Sequence, residues 1–320
     1  MRIACITPID HITGVHTSLD KLGDVFYLPH PTSITTRELV LRNGCDAIFT
    51  NPNMQGFMLG RDVLSGTGVR TICTASTGTN HIDRAYCEKN EIHIISITRD
   101  TGVLERITST AEHAFALMMS SLRMINCSDQ SVRAGAWSWE PFLSRQLNCL
   151  TVGIVGYGRL GKMMANYCKA FGAQVLVVDP YVPDCPYEMA LSLEDLVAAS
   201  DIISLHVHVS SETRHMISGP VLSNCRKGLI LVNTSRGEIV DEHAVAEGLR
   251  AGKIGHYATD VLENEFTRPL ESPLLDLGNN RVTITPHVGG STSDAQVIAY
   301  NHAVRKLDSW AKDSRTTKQV

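Results

Sequence analysis

At 320 residues the chain is too long for one ordinary domain and comfortable for two. A hydrophobic share of 43% against 19% charged residues leaves little room for long disorder, and no apolar run reaches the roughly 18 residues that a membrane span needs. The net charge of −4 comes with no basic block or tail, which argues against a nucleic-acid partner.

Met1–Ile6 runs straight into a strand-like segment, without the apolar region or cleavage site of a secretory signal. Nine cysteines are dispersed from Cys5 to Cys225 with no C-x-x-C, which predicts reduced core thiols in a cytoplasmic protein. Strands are predicted at Arg2–Thr7, Val25–Leu28, Ala47–Thr50, Thr71–Thr74 and His93–Ile97, with helical segments such as Ile82–Lys89 between them. Alternation of this kind implies a parallel sheet covered on both faces. Asn51-Pro52-Asn53 follows one strand; it reads equally as a turn or as a segment facing a ligand. Ser109 followed by Glu112 predicts a capping box for a helix carrying Ala114, Phe115, Leu117, Met118 and Leu122 to about Arg123. Residues 133–148, with Trp137, Trp139 and Pro141, read as an irregular connecting arm.

From Thr151 the alternation restarts. Strands are predicted at Thr151–Gly156, Gln174–Asp179, Ile202–Val207, Leu229–Thr234, Tyr257–Val261 and Val282–Thr285, and a last helix at about Ser293–Lys312. Two α/β units follow, and periodicity does not say whether the last helix rejoins the first.

The strongest motif is G-x-G-x-x-G at Gly156, Gly158 and Gly161, placed between an apolar strand and the helix-compatible run 162–171. Gly156 permits the tight turn, Gly158 lets a pyrophosphate approach the backbone, and Gly161 lets helix and strand pack closely. The helix N-terminus then offers N–H groups and positive partial charge to phosphates. Asp179 ends the next strand 18 residues beyond Gly161. A carboxylate there accepts from the adenosine ribose hydroxyls and repels a 2′-phosphate, and no arginine stands beside it, which predicts NAD rather than NADP.

Three polar residues lie at or beyond strand ends in the second unit, where ligands of open α/β sheets bind. They are Arg236, Glu265 and His287. Hydride transfer to a ketone needs a proton donor, and histidine suits this near neutral pH. A neighbouring carboxylate favours the charged ring, and an arginine can grip a substrate carboxylate with two parallel bonds. Sequence alone leaves open whether the three converge. His206 and His208 alternate on a strand with no third ligand at fitting spacing, so no metal site is predicted.

With the glycine motif, these residues resemble the D-isomer-specific 2-hydroxyacid dehydrogenase family over nearly the whole chain. The likeness includes Ser76-Thr77-Gly78-Thr79-Asn80-His81-Ile82-Asp83, Ser109-Thr110-Ala111-Glu112-His113, Ser204-Leu205-His206, Glu212-Thr213-Arg214-His215, Asn233-Thr234-Ser235-Arg236-Gly237, Asp260 to Glu265, and Thr285-Pro286-His287. The resemblance implies His287 as acid/base, Glu265 as its partner, Arg236 as the carboxylate clamp, and the backbone N–H groups of Thr77 and Gly78 as a second carboxylate site. It implies that Asp260 holds the nicotinamide carboxamide. Arg159, Leu160, His206, Thr234, Thr110 and His287 join it and the glycine motif along the cofactor. The implied architecture is two doubly wound parallel-sheet domains. One is a Rossmann NAD-binding domain at 104–291. The other is a flavodoxin-like, discontinuous substrate domain of 1–103 and 292–320, with the cleft between them. Most members are homodimers, and the Trp137–Trp139 arm falls in the region that usually dimerises. Within the family the chain looks most like phosphoglycerate dehydrogenases lacking a C-terminal regulatory domain, although no basic cluster marks a phosphate pocket; Arg61, Arg84 and Arg99 are unassigned candidates.

Three departures stand out. Phe266 replaces a usual proline after the glutamate, His208 replaces the proline that usually follows Leu-His-x, and Asn80-His81 replaces the commoner Asp-Asn. The first two predict an altered loop near the cofactor. The expected function is NAD-dependent hydride transfer on a small 2-hydroxy or 2-oxo acid, D-3-phosphoglycerate being one candidate. The alternative is an NAD-sensing protein like the corepressors of this architecture; the absence of a long disordered tail favours the enzyme. A formate dehydrogenase relative would carry glutamine in place of Glu265.

Overall fold

The structure is a computed structural model describing residues 1–52, 56–267, 269–278 and 280–316. Asn53 lies outside the described residues. The chain divides into two compact units, Met1–Ile107 with the chain from Ser291 onward, and Thr108–Gly290.

The first unit takes the chain through β1 (Arg2–Cys5), α1 (Val15–Asp20), β2 (Asp24–Tyr27), α2 (Ser33–Asn43), β3 (Ala47–Thr50), α3 (Arg61–Leu64), β4 (Thr71–Thr74), α4 (Arg84–Lys89), β5 (His93–Ile95) and α5 (Thr101–Leu104). All pairings are parallel, in the order β2-β1-β3-β4-β5. This is the flavodoxin-like order, with its switch point between β1 and β3. β3 and β4 are buried along their whole length, as strands covered on both faces must be. Local signals agree with the helices. Thr32 and Thr35 cap α2 reciprocally, and Gly44 ends it with φ +58°. Asp83 caps α4 through the Tyr86 N–H.

The last helix packs on this unit, so the unit is discontinuous in sequence. Its Ala299, Tyr300, Ala303, Val304 and Leu307 share a core with Ile3, Phe49, Cys73 and Ile95. Polar ties fix it further. Asn51 Nδ2 donates to the Tyr300 hydroxyl at 2.6 Å, and Lys306 Nζ donates to Asp100 at 2.7 Å and to the Ser96 carbonyl at 2.6 Å.

His81 is buried, and neither ring nitrogen has a hydrogen-bond partner among the described residues. Burial pushes its imidazole down to about 4, against about 6.5 in an unfolded chain. Between these values the unfolded state binds more protons, so stability complete above about pH 6.5 is lost as pH falls toward 4. His81→Asn is therefore expected to lose about 2 kcal/mol less than wild type between pH 8 and pH 5, read as urea unfolding at both pH values. Parallel losses would mean that the ring is not held neutral.

The second unit begins with α6 (Ser109–Leu122) and α7 (Ile125–Arg133). β6 (Thr151–Val155), α8 (Arg159–Ala170), β7 (Gln174–Val178), β8 (Glu188–Met189), α9 (Leu193–Ala199) and β9 (Ile202–Leu205) follow. The unit continues with α10 (Gly219–Leu222), β10 (Leu229–Asn233), α11 (Glu242–Arg250), β11 (Ile254–Thr259) and β12 (Val282–Ile284). The final helix of the chain, α12 (Ser293–Thr316), is the one that packs on the first unit. The sheet runs β12-β11-β10-β9-β6-β7-β8, all parallel. Counted from β6 this is the Rossmann order 3-2-1-4-5-6 with one strand added, and it reverses between β6 and β9. α6 lies against α8, β10 and β11, sharing a core of Ala114, Met118, Ile154, Met164 and Val232.

Three details differ from the sequence reading. The capping box at Ser109 does not form. Thr108 is the cap residue, which puts Glu112 one position too far along to reach the cap N–H; the Thr108 hydroxyl donates to Glu112 instead, at 2.5 Å. A helix, α7, precedes the arm, and no apolar stripe betrayed it because none of its residues is buried. β8 has only two residues, too few to show a pattern. No helix among the described residues is long and apolar enough to cross a membrane. The nine cysteines form no disulfide; most are buried, but Cys149 is exposed, against the reading of all as core thiols.

Candidate active site

The glycine loop joins β6 to α8 at the point where strand order reverses. Gly156 has φ +90°, and a Cβ there would press on the His206 carbonyl at 2.9 Å and on Val207 at 2.8 Å. At Gly161 a Cβ would lie 2.0 Å from the Gly156 carbonyl oxygen, so helix and loop pack backbone to backbone. Gly158 is the N-cap of α8, and a Cβ there would meet nothing within 4 Å. That open space in front of the first turn, Arg159 and Leu160 included, is where an anion meets helix N–H groups.

Asp179 follows β7 and braces this loop. Its Oδ2 accepts from the Tyr157 N–H at 2.7 Å and its Oδ1 from the Tyr181 N–H at 2.9 Å. Each oxygen keeps further acceptor capacity for hydroxyls. Across the switch point, His206 and Thr234 follow β9 and β10. His206 Nε2 pairs with the Ser204 hydroxyl at 2.9 Å, and burial pushes the ring down to about 4. His206 Nδ1, Thr234 Oγ1 and Ser109 Oγ are buried without a partner among the described residues. Buried orphan groups are uncommon and call for a ligand or water. Open backbone before a helix, a ribose-ready carboxylate and orphaned donors together fit a dinucleotide.

His287 lies beyond β12, and its Nδ1 is 2.8 Å from Glu265 Oε1. The pair is partly buried. With Nδ1–H directed at the carboxylate, Nε2 is the ring atom that takes up or gives a proton. Glu265 Oε2 also accepts from the Leu262 N–H at 3.4 Å. Phe266, half exposed, does not pull Glu265 away from the ring. His287 itself has φ +53°, a left-handed conformation that costs a non-glycine residue of order 1–3 kcal/mol.

Asp260 holds that conformation. Its carbonyl accepts from the His287 N–H at 2.8 Å. Its carboxylate accepts from Val288 N at 2.9 Å, Gly289 N at 2.7 Å and the Thr285 hydroxyl at 2.5 Å. Burial pushes the carboxyl up, but hydrogen bonds from His113, Thr285, Gly289 and Val288 outweigh it and hold the group below the usual range. Thr110 packs by the same loop, its methyl 3.5 Å from where a Gly289 Cβ would stand. In the sequence His113 and Thr285 stand within motifs without a role of their own, and the one polar ring of α6 was the available signal.

Arg236 follows β10 and donates to the Ser235 carbonyl at 2.6 Å. Among the described residues it has no carboxylate partner, unlike Arg145, Arg214 and Arg226. In the first unit Thr77 and Gly78 follow β4. Their carbonyls accept from the Thr98 and Ser76 hydroxyls, each at 2.6 Å, which fixes the loop and leaves its N–H groups to other partners.

Fold, glycine loop and orphaned groups define a dinucleotide-binding protein. Residues 115–289 match the family described as D-isomer specific 2-hydroxyacid dehydrogenase, NAD binding domain, and the chain belongs to this family. It is 36% identical over 239 residues to the D-3-phosphoglycerate dehydrogenase of Archaeoglobus fulgidus, covering 73% of this chain and 44% of that one. It is 33% identical over 235 residues to the hydroxypyruvate reductase of Thermotoga maritima, 72% of this chain and 74% of that one. The crystal structure of D-lactate dehydrogenase from Aquifex aeolicus, complexed with NAD and lactic acid, superimposes with a TM-score of 0.82 at 26% identity, covering 98% of this chain and 96% of that one. The chain spans about half the length of the phosphoglycerate dehydrogenases it matches. These likenesses favour the dehydrogenase over the interaction-protein alternative.

Proposed function

We propose that the chain catalyses hydride transfer between NAD(H) and a small D-2-hydroxy or 2-oxo acid, D-3-phosphoglycerate among the candidates. The observation that carries this reading is the His287–Glu265 pair, held beyond β12 by Asp260 in the unit with the glycine loop. NAD, when bound, supplies or accepts the hydride. His287 Nε2 gives a proton to the ketone oxygen in reduction and takes it back from the hydroxyl in oxidation. Glu265 orients the ring by accepting from its Nδ1–H. Arg236, its charge uncommitted, grips the substrate carboxylate. The glycine loop, Asp179, His206, Thr234, Thr110 and Asp260 hold the cofactor. Residues 104–291 are the NAD-binding domain in this reading. Residues 1–103 and 292–320 are the substrate domain, with the Thr77 and Gly78 N–H groups as its carboxylate site.

The test is NADH oxidation by the purified protein against pyruvate, glyoxylate, hydroxypyruvate, 2-oxoglutarate and 3-phosphohydroxypyruvate. No turnover with any of them counts against the reading. Arg236→Lys keeps the charge and loses the bidentate fork. A lost charge-assisted bond costs roughly 1.5–3 kcal/mol, so substrate KM is expected to rise at least about tenfold with NADH affinity unchanged. A normal KM would place the carboxylate elsewhere.

The same proposal includes a homodimer built on the arm. Trp137, Trp139 and Leu143 are 90%, 72% and 76% exposed, a surface that calls for a cover. Sedimentation of the wild-type protein reads the oligomeric state directly. Cysteines that form no disulfide, most of them buried, support a cytoplasmic setting.

A further inference from the structure

α6 brings one polar ring to the histidine loop. His113 Nε2 lies 2.9 Å from the Thr285 hydroxyl and 3.4 Å from Asp260 Oδ1. The Thr285 hydroxyl proton is already given to Asp260 Oδ1 at 2.5 Å, so Thr285 accepts from His113 Nε2–H. The bonds thus run one way, from His113 to Thr285 to Asp260. Asp260 then gathers three groups of the loop, the N–H of His287 on its carbonyl and those of Val288 and Gly289 on its carboxylate. Contact with α6 is close as well: a Cβ at Gly289 would stand 3.0 Å from Asp260 Oδ2 and 3.6 Å from His113 Cδ2. The residue at the middle of this loop is His287, in the left-handed conformation that persists only where surroundings over-determine it.

We propose that His113 is a positioning residue for His287, fixing the 285–289 loop against α6 through Thr285 and Asp260. The inference rests on the proposed role of His287 for its catalytic consequence, but not for its structural one. Because both neutral and charged imidazole can carry Nε2–H, the brace does not depend on the ring's charge. What His113 adds is the tie to α6, since its Nε2 reaches both the Thr285 hydroxyl and Asp260 Oδ1.

The experiment uses the full chain, four single variants and two double variants. Amide hydrogen exchange at Val288 and Gly289, measured without cofactor, is expected to quicken at least tenfold in His113→Phe and in Thr285→Val, with the amides of β6 unchanged. Thr285→Val keeps the side-chain shape and serves where His113→Phe folds poorly. Ketone-reduction kcat is expected to fall about tenfold in both, with substrate KM and NADH affinity within twofold of wild type. His113→Gln, which restores an N–H donor, should recover most of that loss. In a His287→Ala background the His113 and Thr285 changes should cost nothing further, because they act through the ring. Unchanged exchange at Val288 and Gly289 overturns the proposal, and so does an undiminished kcat loss in the His287→Ala background. Full activity of His287→Ala alone overturns the acid–base reading instead, and the exchange rates then decide the brace by themselves.

Discussion

His287→Ala is expected to lower kcat by roughly 10²–10⁴ in both directions, the usual span for a general acid–base. NADH affinity should survive, because the glycine loop and Asp179 lie at the ends of β6 and β7 and owe nothing to this ring. Protonated imidazole is needed to reduce the ketone and neutral imidazole to oxidise the alcohol. Reduction should therefore fall on the alkaline side and oxidation on the acid side of one transition. Glu265 Oε1 sits 2.8 Å from Nδ1. Glu265→Gln keeps the shape but removes the carboxylate that orients Nδ1–H, a charge-assisted bond of roughly 1.5–3 kcal/mol, so kcat is expected to fall at least about tenfold in both directions. The measurement is kcat against pH in both directions for wild type and the two variants. An unchanged kcat in Glu265→Gln would remove Glu265 as partner despite its position. Full activity in His287→Ala would end the proposed mechanism.

The second large effect is cofactor choice. In the proposed cofactor site Asp179 takes the adenosine ribose, and both its oxygens are anchored by backbone N–H groups. An anchored carboxylate cannot swing away from a 2′-phosphate, and a like-charge contact of this kind costs several kcal/mol. About 3 kcal/mol corresponds to on the order of 100-fold in affinity. NADH is therefore expected to bind about 100-fold tighter than NADPH, read by fluorescence titration. Asp179→Asn should narrow the gap. Equal affinities in wild type would remove Asp179 from the cofactor site.

Much of this was legible beforehand because the responsible signals are local. Apolar runs such as Ala47–Thr50 and Thr71–Thr74 sit between turn formers, and β3 and β4 occupy those same residues. The glycine spacing carries its own geometry, so the turn at Gly156 and the backbone contact at Gly161 follow from residue type alone. The meeting of His287 with Glu265 did not; they are 22 residues apart, and only the resemblance joined them. α7 was hidden because a helix that buries nothing needs no apolar stripe. The His113–Thr285–Asp260 chain was hidden for a different reason. Its members are 172 and 25 residues apart in sequence, and each alone is an ordinary polar residue.

The return of α12 to the first unit has a consequence for how the chain reaches its native state. β1 through α5 emerge early, yet the surface of Ile3, Phe49, Cys73 and Ile95 that α12 covers stays bare until all of Thr108–Gly290 has passed. The intervening unit is contiguous and can close its own core first. Loop-closure entropy grows only with the logarithm of length, so so long an insertion adds little equilibrium cost. The burden is kinetic. Contacts between α12 and β4 or β5 are among the most distant in the chain, and distant pairings form late and slowly. During that interval the apolar face is open to aggregation, which makes the first unit, with its five strands and a missing lid of helix, the part of the molecule with most to gain from a chaperone.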